Sequence, residues 1–235
     1  MSVSLDYHPP TEPWLDILYQ DKDIIVLNKP SGLLTNPGRG PELADSLFSR
    51  VKAEYELSQL VHRLDLSTSG VVVMALRRNA ERELKRQFAE RLVKKRYLAV
   101  VAGRPETLSG SIDLPLAVDA DRAPKQKVCK LHGKAALTHY RVLQHLSNSA
   151  VMELRPVTGR SHQLRLHMLA LGHPILGDAF YADDKALAAA PRLLLHAAQL
   201  QLQHPYSGKL LDFSANTDFI SASGQLNWPT TDFAC

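Results

Sequence analysis

Leu60–Leu76 reads "LVHRLDLSTSGVVVMAL", and its two halves ask for different things. Val71–Leu76 is a strand-length apolar run opening on three valines, whose branched Cβ atoms favour a pleated, buried position. Before it comes a turn of small residues carrying one carboxylate, Asp65, shortly after His62 and Arg63. No second acid and no set of metal ligands stands beside it. On its own Asp65 reads as a turn-capping acid, since aspartate bonds backbone amides in turns, and Arg63 reads as a surface ion-pair partner.

Working outward, Ile24–Leu27 is a buried-strand candidate stopped by "NKPSG", where Pro30 and Gly32 mark a turn. The loop "TNPGRGPE" leads into a predicted helix over Leu43–Tyr55. After the Val71 strand, Asn79 is positioned to cap a helix with Glu81 and Glu83 in its first turns. Ala80, Leu84 and Phe88 recur every four residues on that otherwise charged helix, which the pattern ends near Val93. "RYLAVVAG" alternates with period two, grouping Tyr97, Ala99 and Val101 on one face. Residues 105–135 read as an irregular or hairpin excursion. Strands follow at Thr138–Leu143 and Ala150–Arg155. Ser161 is the expected N-cap of a helix presenting Leu164, Met168 and Leu171, ended by Gly172 and Pro174. Apolar segments at Leu193–Ala197 and Leu210–Phe213 complete a sheet. This irregular alternation predicts an α+β domain over 17–215, after an extended, proline-bearing arm (1–16) and before a loose tail (216–235).

The chain has 235 residues, 45% of them hydrophobic, enough for one full core or two small lobes. No apolar run approaches the roughly 20 residues of a membrane span, and "MSVSLDYHPPTEPW" lacks the features of a secretory signal. The two cysteines, Cys129 and Cys235, lie far apart. A cytoplasmic protein with free thiols is expected. With 28 Lys+Arg against 24 Asp+Glu, the net charge of +4 permits an RNA partner without showing one. "LRRNAERELKRQFAERLVKKRY" and "APKQKVCKLHGK" suggest gathered positive charge, though on charge alone ordinary solvated helix faces are the better reading of such runs.

The common active-site patterns fail one by one. His162 and His167, five apart, diverge by about 140° on a helix, and the metalloprotease spacing is absent. "HRLD" departs from the kinase catalytic loop, where the acid follows arginine directly. "STSG" is no nucleophile elbow, and neither cysteine has a partnered histidine. A second glycosidase carboxylate is missing nearby in sequence, although folding could supply one.

Together the segments resemble the RluA family of pseudouridine synthases. "VHRLDLSTSGVVVMAL" is similar to its signature motif, "LNKPSGLL" to its early N-K-P-x-G motif, and "KKRYLAVV" carries the expected tyrosine. "TGRSHQLRLHMLALGHPILGD" matches the later G-R-x-H-Q-[IL]-R-x-H block and "RLLLHA" the motif after it. The resemblance runs in order from about Leu15 to Phe213. It implies a pseudouridine synthase fold: a mixed, mainly antiparallel sheet flanked by helices and loops around a central RNA-binding cleft. The N-terminal S4-type domain of many relatives finds no room here. "PPTEPWLDILYQDKDIIVLNKPSGLL" and "RAPKQKVC" are similar to the branch that modifies both the tRNA uridine two positions before the anticodon and a loop uridine of 23S rRNA.

The resemblance also implies roles. Asp65 would be the catalytic carboxylate, either attacking C1′ or removing the C2′ proton. Arg165 would keep it ionised by a charge-assisted pair. Tyr97 would stack on the uracil, although spacing alone favours a plain core tyrosine with its hydroxyl at the surface. Leu195 would pack on the other side of the base, or simply in the core. His62, Arg63, Arg160 and His162 would contact RNA, Arg63 by filling the space that the extruded base leaves. Arg39, Lys125, Lys127 and Lys130 are loop candidates for phosphate. No metal and no cofactor is implied, and a monomer is expected. The alternatives are a catalytically idle RNA-binding protein of the same fold and an N-glycosidase in which water captures the sugar.

Overall fold

The computed structural model describes residues 7–221. In chain order the elements are β1 (Ile17–Gln20), β2 (Ile24–Lys29), α1 (Leu47–Glu54), β3 (Gln59–Leu60), β4 (Ser69–Ala75), α2 (Arg78–Ala89), β5 (Lys94–Ala102) and β6 (Ser109–Asp113). There follow β7 (Leu116–Val118), β8 (Gln126–Val128), β9 (Leu137–His145), β10 (Ser149–Pro156), α3 (Gln163–Ala170), α4 (Asp184–Ala188), β11 (Leu195–Gln203), β12 (Leu210–Ser214) and α5 (Asp218–Ser221). One ten-stranded sheet runs β1-β2-β4-β11-β5-β10-β9-β6, with β12 beside β11 and β3 beside β4. Within it only the β4–β11 pairing is parallel. The α+β architecture with a mixed, mainly antiparallel sheet is therefore present.

Alternation in β2 and β4 sends side chains to two cores, which explains why the valine run is continuous. Val71 and Val73 join Ile24, Val26, Ala80 and Leu84 under α2. Val72 and Met74 join Ile25, Leu27, Leu47 and Val51 under α1. Ala99, Val101, Met152 and Leu154 pack with Leu164 and Met168 of α3 in a third cluster. The stripes on α2 and α3 and the alternation in β5 thus fall where their periods put them.

Element ends differ from expectation because local hydrogen bonding sets them. α2 starts at Arg78 with Arg77 at the N-cap, so Asn79 lies inside the first turn and caps nothing. It stops at Ala89; Arg91 then takes a left-handed φ of 59° and the chain reverses into β5. α1 starts at Leu47, where Ser46 and Ser49 form a reciprocal capping box. At α3 the N-cap is His162, left-handed at φ 56°, and not Ser161. The 105–135 excursion contributes β6 to the sheet edge and a separate β7–β8 hairpin. The first residues of the expected loose tail form α5, with Arg192 paired to Asp218; residues 222–235 lie outside the described part, as do residues 1–6 of the arm. Arg50, almost wholly buried, donates to the Pro10 and Trp14 carbonyls and so fastens the arm to α1.

Candidate active site

A cavity of about 500 Å³ opens beside the junction of β4, β5 and β11, a volume suited to a small ligand. Asp65, Tyr97, Arg165, Leu195, His62, Arg63, Arg160 and His162 all line it. One sequence-distant loop, residues 29–35, holds the acid there. Thr35 Oγ1 accepts from the Leu64 amide at 3.1 Å and donates to the Leu64 carbonyl at 2.7 Å. Lys29, fully buried, donates to the carbonyls of Pro30, Leu33 and Leu66. Burial pushes its ammonium down to about 7, opposed by the nearby Asp65 charge. Ser31 Oγ bonds the Ser67 carbonyl, and the Gly32 amide bonds that of Leu66. The "NKPSG" turn is thus a bracket for the Asp65 turn. Gly70, at φ +112°, ends that turn where a Cβ would stand 2.3 Å from the Ala197 carbonyl oxygen, so only glycine lets β4 meet β11.

Arg165, in the first turn of α3, makes a two-pronged bond to Asp178: Nε to Oδ2 at 2.8 Å and Nη2 to Oδ1 at 2.6 Å. Its free edge reaches Asp65, with Nη1 3.5 Å from Oδ2. The guanidinium lies 5.0 Å from the Phe180 ring and 5.1 Å from Tyr181. Its pKa is raised: burial works against the charge, but the Asp178 bonds and then the Asp178 and Asp65 charges outweigh it. The expected simple Asp65–Arg165 pair is in fact a triad in which Asp178 is the tighter partner. Tyr97 faces Ala197 across β11, and its pKa is raised, first by burial and then by the Asp65 charge. Leu195 pairs with Ala99 on the same strands.

The histidines do not serve as cations here. His62 stacks on Phe88 with ring centroids 4.6 Å apart, and its Nε2 accepts from the Val73 amide. Burial, aided by Lys95, pushes it down to about 3. His162 Nδ1 lies 2.6 Å from the Tyr181 hydroxyl, and burial lowers its pKa as well. Arg63 is exposed, with Nη2 3.5 Å from Ser161 Oγ. Arg160 donates to the Ala135 carbonyl.

The loop candidates lie elsewhere. Arg39 is exposed and outside the cavity lining. Lys125 is engaged with the Phe180 carbonyl and ring, and Lys127 faces Asp119 at 3.4 Å. Lys130 is exposed and likewise outside the lining. Tyr181 accepts from the Gln126 amide, which ties the β7–β8 hairpin to the site. Residue patterns missed Asp178, Phe180, Tyr181 and Lys95. For the first three the run "LGDAFY" (176–181), shortly after α3, was the signal, because a buried arginine demands a carboxylate.

The family model described as RNA pseudouridylate synthase matches residues 23–170. The chain is 57% identical over 215 residues, 91% of its length and 98% of the relative's, to "Dual-specificity RNA pseudouridine synthase RluA" of Escherichia coli (strain K12). It is 51% identical to the protein of the same name from Haemophilus influenzae, covering 92% of this chain and 99% of that one. Among solved structures it resembles "Human RNA Pseudouridylate Synthase Domain Containing 1", with TM-score 0.76 and 29% identity over 92% of this chain and 88% of that one. Fold, cavity and relatives agree, and the chain belongs to the RNA pseudouridylate synthase family, isomerases that convert uridine in RNA to pseudouridine.

Proposed function

We propose that this enzyme acts on two RNAs, isomerising the tRNA uridine two positions before the anticodon and a loop uridine of 23S rRNA. Support comes from the 57% identity to a relative whose name states dual specificity. In this reading Asp65 works as an ionised carboxylate, attacking C1′ or taking the C2′ proton. The N1–C1′ bond breaks, the base turns, a C5–C1′ bond forms, and the C5 proton leaves as N1 gains one. Atoms and electrons balance within the uridine, so the reaction calls for no cofactor and no metal.

The observation that carries these roles is the Asp65–Arg165–Asp178 arrangement beside the Tyr97 ring. Arg165 is held by Asp178 and offers its remaining edge to Asp65, keeping the carboxylate charged when the base displaces water. Tyr97 and Leu195 flank the uracil. Arg63 fills the gap the base leaves, and Arg160 and His162 line the approach. The target leaves its stack most cheaply in a loop. The enzyme works as a monomer in the cytoplasm, with residues 17–215 as its catalytic domain.

An unmodified anticodon stem–loop tritiated at uracil C5 tests this. Tritium release should appear with the wild type and fall about three orders of magnitude in Asp65→Asn. Release from a 23S fragment alone would remove the tRNA half of the proposal. Binding without release from either RNA would favour the idle RNA-binding protein, and free uracil would favour the N-glycosidase.

A further inference from the structure

Lys29 is fully buried near Asp65 and Lys95 is half-buried in the cavity wall, and their surroundings differ. Lys29 has all three ammonium donors taken by carbonyls, so its role ends inside the fold. Lys95, second residue of β5, lines the cavity and makes one protein bond, to the Thr158 carbonyl at 3.0 Å. Among the described residues no carboxylate lies within ion-pair distance of it and no other protein acceptor takes its remaining donors. Its neighbours in the lining are Val61, Phe88 and Val93, which belong to the apolar cluster under α2, and His62, whose ring is neutral. Arg91, carried into the same wall by its left-handed backbone, adds a second positive charge.

A cation on an apolar wall without a counter-charge is unfavourable in the free protein, and an anion arriving there relieves it. Burial, with Arg91 adding to it, already pushes Lys95 down to about 8. We infer that Lys95 and Arg91 form a phosphate subsite that takes one backbone phosphate adjoining the extruded uridine. The inference rests on reading the cavity as the uridine site. The phosphate accepts charge-assisted bonds from Nζ and holds the sugar in register with Asp65. Lys95 positions the substrate and touches none of the reacting atoms.

Anticodon stem–loops in which one phosphate at a time around the target uridine is an uncharged methylphosphonate test the pairing. Tritium release is compared between wild type and Lys95→Met. The variant should raise KM about tenfold with kcat within about twofold, and should flatten the salt dependence of binding by about 0.7 in log–log slope. One neutralised phosphate should cost the wild type about tenfold in kcat/KM and the variant nothing further. If every neutralisation costs both proteins equally, or if kcat falls while KM stays, Lys95 acts only through the Thr158 carbonyl and the inference is overturned. Should Lys95→Met fail to fold, Lys95→Gln makes the same comparison, since it can still donate but carries no charge. A wild type that neither binds nor turns over the unmodified stem–loop or the 23S fragment would overturn the function proposed above along with the subsite.

Discussion

Asp178 shows how one residue can govern a site without facing the base. It accepts both prongs of Arg165 and the amides of Phe180 and Tyr181, so it fixes the guanidinium and the two rings around it. Asp178→Asn removes a buried charge and leaves Arg165 with half its compensation. The expected loss is about 3 kcal/mol in urea denaturation, with kcat lowered at least about tenfold and RNA affinity little changed. Unchanged kcat would mean that Arg165 is held by something else. His62 and His196 give a second prediction at this scale. His196 sits between Ser69 Oγ and the Ala215 carbonyl, and burial pushes it down to about 4, as it pushes His62 down to about 3. Unfolded, both would titrate near 6.5, so between those values the unfolded chain binds more protons and stability rises with pH. Going from pH 7 to pH 5 should cost about 2 kcal/mol for each histidine. His196→Gln should flatten the denaturation midpoint between those pH values by one histidine's share; an unaltered pH dependence would refute it.

Between elements, the Asp65 turn depends on a bracket that comes from a different part of the chain. Thr35→Val deletes both bonds to Leu64 while keeping shape, at about 1–3 kcal/mol in stability. Tritium release should fall with it, because Asp65 loses its fixed distance from Arg165; activity that survives intact would show the Lys29 bonds suffice. Gly70→Ala should be worse, since its Cβ meets the Ala197 carbonyl and no side chain there can yield. What the sequence made legible follows the same division. Strands and amphipathic stripes were readable because their periods are local: three valines in a row, and apolar residues four apart on α2. Asp65, Tyr97 and Arg165 were readable only through family motifs. Asp178, Thr35 and Lys95 were not, because each acts through a partner at least 13 positions away, and nothing local distinguishes a threonine that bolts a loop from one in a turn. The Asn79 and Ser161 caps failed for the opposite reason: good capping side chains stood two residues and one residue from where the backbone turns.

Across the whole molecule, charge is arranged differently from its distribution along the chain. The richest basic run, on α2, is partly neutralised by nearby acids: Lys85 bonds Glu81 at 2.6 Å, and Arg86 is held by Glu83 and Glu90. Among the cations that line the cavity and its mouth are Arg63, Arg91, Lys95 and Arg160, drawn from three separate stretches. A net charge of only +4 therefore gives little long-range pull, and binding should depend on a few close phosphate contacts. With about four such contacts, tRNA affinity should drop by roughly two orders of magnitude between 50 and 200 mM salt. Arg160→Ala should reduce the log–log slope by about one and Lys85→Ala should leave it unchanged, both measured by filter binding at a series of salt concentrations. If Lys85→Ala lowered the slope as much as Arg160→Ala, the RNA would extend over the outer face of α2, and the footprint would be much larger than the cavity mouth.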